Sequence, residues 1–240
     1  MNDRSMPLSR RIRMTLPPIM QVMKRMGGSA EHDLTQGVPF FAPPEEALEK
    51  TFDGVSALNR YGPDGGDPEL KEEVSRKLKR ENGMERDPLT EIMITSGANC
   101  AFVNAAAAVC DPGDDVLLLS PYYFNHFMTL DMLGAKQRIC PMGEGLLPDV
   151  ENVESYIGPR TKAVVVVSPN NPAGVSYPGE LMEDLVELCR EKGIWLISDE
   201  TYDRFVYGTD HTSPGSIGDE PPVISLYSFS KVFGMSGWRV

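Results

Sequence analysis

The chain has 240 residues, of which 41% are hydrophobic and 24% are charged. These fractions are close to those of globular proteins, and they exclude a disordered chain or a small domain that depends on disulfides. Lys and Arg number 23 against 35 Asp and Glu, which gives a formal net charge of −12. A surface of that sign repels phosphate backbones, and no apolar run approaches the roughly 20 residues that cross a bilayer. We therefore expect a globular protein without a nucleic-acid or membrane partner.

The cysteines and histidines indicate neither a disulfide framework nor a metal site. The four cysteines are widely spaced and form no CxxC pair, which is typical of reduced thiols in a cytoplasmic protein. The three histidines are not four residues apart, and none is close to a cysteine in the sequence. Because no metal-ligand pattern is present, we expect a cytoplasmic protein whose chemistry uses no metal.

The first 30 residues form a basic segment that contains Pro7, Pro17 and Pro18. Its excess of basic residues allows a transit peptide as one interpretation. The prolines would interrupt an amphipathic helix, which favours the other interpretation, an arm that packs on the body of the protein or on a neighbouring subunit.

Strands and helices are predicted to alternate along the chain. A charged helix is predicted over 68–81, after a segment interrupted by glycine and proline. Strands follow at 92–95, 116–120, 163–167, 194–198 and 223–227, with helices at 98–110, 124–133 and 179–192. Runs such as VVVV and IWLI do not alternate with polar residues. This pattern is typical of strands that are covered on both faces of a sheet. The sequence therefore predicts a mostly parallel, doubly wound α/β sheet.

The last four residues, 237–240, are predicted to begin a further strand. A domain rarely ends at such a point, so we expect the chain to be a piece of a longer protein. The missing part would leave apolar surface uncovered, and we expect the 240 residues by themselves to be inactive.

Open α/β sheets bind ligands at the carboxyl ends of their strands, so the residues that follow each strand were considered first. A glycine turn at 96–99 opens a predicted helix, whose free N–H groups suit an anion such as phosphate; a plain turn is the alternative. The prolines of the segment 168–174, SPNNPAG, predict a rigid loop that would direct an asparagine amide toward a ligand. The alternative is a loop without a functional role.

Two later strands end in ionisable residues. Asp199 follows one strand, with Tyr202 three residues further on, and the acid could alternatively cap the next helix. Lys231 follows the last strand beside phenylalanines, and Arg239 lies eight residues beyond it. A desolvated lysine has a lowered pKa and attacks carbonyl groups, whereas a solvated surface lysine is the alternative.

Taken together, these segments resemble the class I and II aminotransferases of fold type I, which use pyridoxal 5′-phosphate (PLP). The resemblance rests on six segments in order: LTQGVPFFAPPEEALE, NRYGPDGGDPELKEEV, the SGAN turn, SPNNPAG, SDETYDRFVY and SFSKVFGMSGWRV. It covers nearly the whole chain. It implies an N-terminal arm and small-domain segment at 1–60 and a large PLP-binding domain at 61–240, with the C-terminal part of the small domain missing.

The resemblance also implies a role for each matching residue. Lys231 would form the Schiff base with the cofactor and move a proton, Asp199 would pair with the pyridine nitrogen, and Asn171 and Tyr202 would bond the ring oxygen. The expected phosphate ligands are Gly97, Ala98, Asn99, Ser228 and Arg239.

Three further positions are implied by the same resemblance. Tyr123 would stack on the cofactor ring, with Tyr122 as the alternative, since the proline that usually follows the stacking residue is absent. Gly37 would lie against the substrate carboxylate, unless it is an ordinary loop glycine. Tyr61 would reach the phosphate of the other subunit, which implies a homodimer with shared active sites.

The function implied is transfer of an amino group between an amino acid and a 2-oxo acid. A PLP-dependent lyase of the same fold, similar to an aminocyclopropane-carboxylate synthase or a C–S β-lyase, would keep the same residues and is the alternative. A regulatory PLP-fold domain fused to a DNA-binding module is a third interpretation, but the N-terminal segment is too short for such a module. The sequence does not name the amino acid.

Overall fold

A computed structural model describes residues 18–26, 37–51 and 61–240. The strands in these ranges are β1 (Asp115–Ser120), β2 (Lys136–Pro141), β3 (Thr161–Val167), β4 (Trp195–Asp199) and β5 (Val223–Leu226). The helices are α1 (Pro18–Met26), α2 (Glu45–Lys50), α3 (Pro68–Asn82), α4 (Ala98–Val109), α5 (Phe124–Leu133), α6 (Val150–Tyr156), α7 (Gly179–Lys192) and α8 (Phe229–Val232).

The five strands form one parallel sheet in the order β2-β1-β3-β4-β5. Consecutive parallel strands require a connection that crosses over the sheet. The helices α5, α6 and α7 lie in three of these connections, and the connection from β4 to β5 contains only a short 3-10 helix, Pro214–Ser216. The carboxyl ends of all five strands therefore meet at one edge, as the sequence predicted.

Helices cover both faces of the sheet, which confirms the doubly wound architecture. Alternate residues of β1 enter different cores: Leu117 and Leu119 pack with Leu185 of α7 on one face. On the other face, Leu118 packs with Phe102 of α4. Because both faces are buried, the strands need no polar alternation, and the apolar burial stabilises the sheet at about 25 cal/mol per Å².

Two predicted strands are wrong. The segment 92–95 is extended but pairs with no strand among the described residues; the N–H of Ile94 donates instead to the carbonyl of Gly65 at 3.0 Å. A cleft of about 280 Å³ separates this segment from β5. Residues 237–240 form no strand: 236–238 make a turn, in which the N–H of Trp238 donates to the carbonyl of Met235 at 3.0 Å, and 239–240 have no regular structure.

Sequence patterns missed two elements, β2 and α6. The strand β2 begins Lys136-Gln137-Arg138 and lies at the edge of the sheet with exposed ends, so its composition is that of a surface segment. The seven-residue helix α6 buries only one residue, Val153. It is too short to show a repeating apolar pattern with helical spacing.

Several expectations from the sequence concern residues that the structure does not describe. Residues 1–17, 27–36 and 52–60 are not described, so the arm and the transit-peptide alternative lie mostly in these ranges. The division at residue 60 stays a prediction. All four cysteines are free thiols. No helix within the described ranges is long and apolar enough to span a membrane.

Candidate active site

A cleft of about 610 Å³ opens at the carboxyl edge of the sheet, where the loops after β3, β4 and β5 meet the start of α4. This is the position at which parallel α/β sheets bind their ligands. All of the predicted site residues except Gly97 and Tyr61 line it, namely Gly37, Ala98, Asn99, Tyr123, Asn171, Asp199, Tyr202, Ser228, Lys231 and Arg239.

Lys231 enters the cleft from α8, the short helix that follows β5. The hydroxyl of Ser228 caps this helix by accepting from the N–H of Ser230 at 3.1 Å. The Lys231 ammonium donates to the carbonyl of Gly37, and this contact brings Gly37 to the cleft. Burial, and secondly the charge of Arg239, lowers the pKa of Lys231 below its ordinary value. A lowered pKa increases the fraction of neutral, nucleophilic amine.

Asp199 is the last residue of β4 and is buried. Its Oδ2 lies 3.1 Å from His126 Nε2, and its Oδ1 accepts from the N–H of Thr201 at 3.1 Å. Burial by itself would raise the pKa of Asp199, but the bond to His126 and the bonds from Thr201 lower it below the ordinary value. Asp199 is therefore an ionised carboxylate at neutral pH, ready to pair with a cation in the cleft.

His126 is the residue of this site that sequence reasoning missed. Its ring is 2% exposed, stacks on Phe102 with centroids 4.0 Å apart, and meets the edge of Tyr123 at 5.2 Å. From the sequence, His126 is a candidate only as a metal ligand. The usable signal was its place three residues after Tyr123 in a helix that starts at the cleft, but its partner Asp199 is 73 residues away and only the fold brings the two together.

The paired asparagines of the SPNNPAG loop have different surroundings. Asn170 is buried and shapes the loop: its amide donates to Tyr177 Oη at 3.2 Å, and its Oδ1 accepts from the N–H of Ala173. Asn171 lines the cleft and hydrogen-bonds the hydroxyl of Tyr202. Burial, followed by the neighbouring Tyr123 and Asp199, raises the pKa of Tyr202, so its phenol stays protonated.

The structure distinguishes the two candidate stacking tyrosines. Tyr122 packs into the core beside α5, stacked on Phe127 with centroids 5.6 Å apart. Tyr123 lines the cleft, and its hydroxyl accepts from Asn125 at 2.8 Å. Of the two, only Tyr123 lines the cleft, and its stacking on the cofactor ring stays a prediction.

The start of α4 and Arg239 form a cradle for an anion. Gly97 has φ +78°, and a Cβ built on it would lie 2.5 Å from Arg239 Nη2. The N–H groups of Ala98 and Asn99 have no acceptor among the described residues. Free N–H groups at a helix start and a guanidinium are the donors that phosphate prefers. Ser228 lines the same side of the cleft.

We expect Gly97→Ala to weaken PLP binding about tenfold or more, because the added methyl displaces the Arg239 guanidinium from the cradle. At φ +78° and ψ 169° the backbone lies in a region that essentially only glycine adopts, which adds a cost of about 1–3 kcal/mol in stability. Gly113→Ala is the matched control, since Gly113 has φ +97° but open space around it. Cofactor titration and calorimetry should show similar destabilisation for both variants and weaker binding for the first alone; equal PLP affinities would contradict the cradle.

Tyr61 does not line the cleft. It lies on the surface with its side chain fully exposed. Its expected contact with a second subunit stays a prediction.

The parallel sheet, with a lysine and a buried aspartate at its carboxyl edge, defines a fold type I PLP-dependent protein. The chain belongs to the class I and II aminotransferase family, because the sequence pattern of that family, Aminotransferase class I and II, matches residues 31–240.

Similar proteins carry related names. The chain is 38% identical to an aromatic aminotransferase of Arabidopsis thaliana over 97% of its own length, and 39% identical to the aspartate/prephenate aminotransferase of Thermus thermophilus over 86%. It spans 60% and 54% of those two relatives. The solved aspartate aminotransferase from Thermus thermophilus with maleate superposes with a TM-score of 0.90 at 36% identity, covering 98% of this chain and 63% of that one.

PLP is the cofactor of this family, and the cleft fits it on its own geometry. A side chain at Gly97 would displace the Arg239 guanidinium, so the glycine keeps the donors at the start of α4 in place for a phosphate. An ionised, buried Asp199 suits a protonated ring nitrogen, and a partly desolvated Lys231 suits an aldehyde. The roles of the individual residues toward the cofactor stay predictions.

Proposed function

We propose that this chain forms part of a PLP-dependent aminotransferase. Such an enzyme moves an amino group between an amino acid and a 2-oxo acid. One observation carries the proposal: a single cleft holds Lys231 with a lowered pKa together with an ionised, buried Asp199. The names of the similar proteins, aromatic and aspartate/prephenate aminotransferases, support transfer chemistry.

PLP supplies an electron-withdrawing ring that stabilises negative charge on the carbon attached to the transferred nitrogen. Lys231 would hold the cofactor at its aldehyde group, and its neutral Nζ would serve as the base for the proton on the substrate α-carbon. Partial burial keeps this amine uncharged in a larger fraction of molecules, as a general base requires.

Asp199 would pair with the ring nitrogen and hold its proton, which would keep the ring electron-withdrawing. A carboxylate does this only if it stays ionised and fixed in direction. His126 meets both needs, since it bonds Oδ2 at 3.1 Å and is itself packed between Phe102 and Tyr123.

The remaining residues orient the cofactor and the substrate. Asn171 and Tyr202 would hold the ring oxygen by hydrogen bonds, and the cradle at the start of α4 would hold the phosphate. Gly37 lies beside the Lys231 amine, which donates to its carbonyl, and would face the substrate carboxylate from there.

We also propose a homodimer with shared active sites in the cytoplasm. The exposed Tyr61, together with Phe40 and Phe41 on the surface near the cleft-lining Val38, supports contact with a second subunit. The four free cysteines support a reducing compartment.

The test of this function is product analysis with the purified, PLP-loaded full-length protein, because the 240 residues by themselves are expected to be inactive. Aromatic and acidic amino acids are supplied singly with 2-oxoglutarate. We expect a keto acid from the donor and glutamate in equal amounts. Release of ammonia with pyruvate, and no glutamate, would contradict amino transfer and favour the lyase chemistry.

A further inference from the structure

A buried polar cluster lies behind the cleft and is used by none of the roles above. Its centre is Glu200, whose side chain is fully buried. Glu200 Oε2 accepts from Ser213 Oγ at 2.5 Å and Tyr227 Oη at 3.0 Å and lies 2.9 Å from His211 Nε2. The other oxygen, Oε1, has no partner among the described residues. Neither Glu200 nor Tyr227 lines the cleft of the candidate site.

This cluster joins the two chain segments that carry Lys231 and Asp199. Glu200 directly follows Asp199 at the end of β4, and Tyr227 lies between β5 and the Ser228 cap of α8. The final backbone bond between the strands runs from the N–H of Glu200 to the carbonyl of Leu226, at 2.8 Å. Beyond it the chain turns at 201–204 on one side and enters α8 on the other. The hydrogen bond between Glu200 and Tyr227 therefore links the two chain segments beyond the last backbone hydrogen bond between β4 and β5.

The cluster is anchored to α3 on the outside of the sheet. Asn82 donates to Ser213 Oγ at 2.7 Å, and Lys77 donates to Asn82 Oδ1 at 2.8 Å. Lys77 also pairs with the buried Asp203 at 2.5 Å. The hydrogen bonds therefore run in one direction, from the Lys77 ammonium through Asn82 and Ser213 to the Glu200 carboxylate. In such a chain each hydrogen bond polarises the next.

Tyr227 donates in this arrangement. Burial, followed by the charge of Glu200, raises the pKa of Tyr227 well above its ordinary value, so the phenol keeps its proton. Lys77 Nζ lies 4.5 Å above the same ring and holds it from the other side. The contact is thus a hydrogen bond from a fixed phenol to a fixed carboxylate.

We propose that Glu200 is a positioning residue: through Tyr227 it sets the separation of Asp199 and Lys231 across the cleft. This inference rests on the proposed function, because the separation matters only to a ligand that contacts both residues. A reaction whose groups must meet within a few tenths of an ångström is sensitive to such spacing.

The test uses Tyr227→Phe, which removes one hydroxyl and keeps the ring over Lys77, and Glu200→Gln, which keeps the shape of the side chain. We expect each variant to bind PLP about tenfold more weakly than the unaltered protein, the size of effect of one buried bond to a charged group. We also expect the pH midpoint of the absorbance of the bound cofactor to move, since that absorbance reports the surroundings of Lys231.

Asp115→Asn is the matched control. Asp115 is likewise a buried carboxylate, but it opens β1 at the amino edge of the sheet, where it lies 3.5 Å from Arg138. We expect this variant to lower the melting temperature and to leave PLP affinity and the pH midpoint unchanged.

The outcomes separate the two proposals. If the unaltered protein does not bind PLP at Lys231, the proposed function fails. If it does, but Tyr227→Phe changes only the melting temperature, as Asp115→Asn does, the positioning role is overturned. Should Glu200→Gln not fold, Tyr227→Phe alone decides.

Discussion

In the full-length protein, replacing Lys231 with alanine is expected to reduce amino transfer by about 10⁴-fold or more, because the variant loses both the cofactor bond and the base at the α-carbon. Borohydride reduction of the unaltered, PLP-loaded protein should fix the cofactor on the peptide that contains Lys231. In the alanine variant that peptide should carry no label. Turnover and peptide mapping by mass spectrometry measure the two effects.

The control for this experiment is Lys192→Ala. Lys192 ends α7 and pairs with Glu154 on the surface, at 2.5 Å. We expect this variant to keep full labelling and nearly full activity, since exposed ion pairs contribute little. Labelling of another lysine in the unaltered protein would contradict the assignment of Lys231.

The second large effect is expected at Asp199. Asp199→Ala should lower turnover by about 10³-fold, because no carboxylate remains to hold the ring nitrogen protonated, while Asp199→Glu should retain part of the activity. PLP affinity should fall far less than turnover, since the cradle at Gly97 and the bond from Lys231 are unchanged. Single-turnover rates and cofactor titration separate the two quantities.

Removing Asp199 also affects stability, because His126 then loses its partner in a buried site. The Nδ1 of His126 already has no partner among the described residues, so the variant leaves the whole ring unpaired. We expect a cost of about 1–3 kcal/mol in the free energy of unfolding. The exposed Asp131 on α5 provides a control, Asp131→Asn, that should change neither stability nor turnover. A near-normal rate for a folded Asp199→Ala protein would refute the role of the carboxylate.

Local sequence was sufficient for most of the fold. The helices α5 and α7 were predicted with the bounds that the structure shows, since each ends before a glycine, Gly134 and Gly193, that adopts the left-handed conformation. The buried strands were predicted because both faces of the sheet are covered, so unbroken apolar runs marked them. Lys231 and Asp199 were found for a related reason: in a parallel sheet, a polar residue directly after such a run lies at the ligand-binding edge.

Contacts between distant segments decided the rest. The bond between His126 and Asp199 joins α5 to β4, and the bond between Glu200 and Tyr227 joins the ends of the neighbouring strands β4 and β5. No repeating pattern in the sequence indicates that the members of these pairs meet. The segment 92–95 has the composition of a strand, yet a strand also needs a neighbouring backbone, and the N–H of Ile94 bonds the loop at Gly65 instead. Residue type sets which chemistry a position can perform, but the charge state and direction of each group depend on neighbours that only the folded sheet assembles.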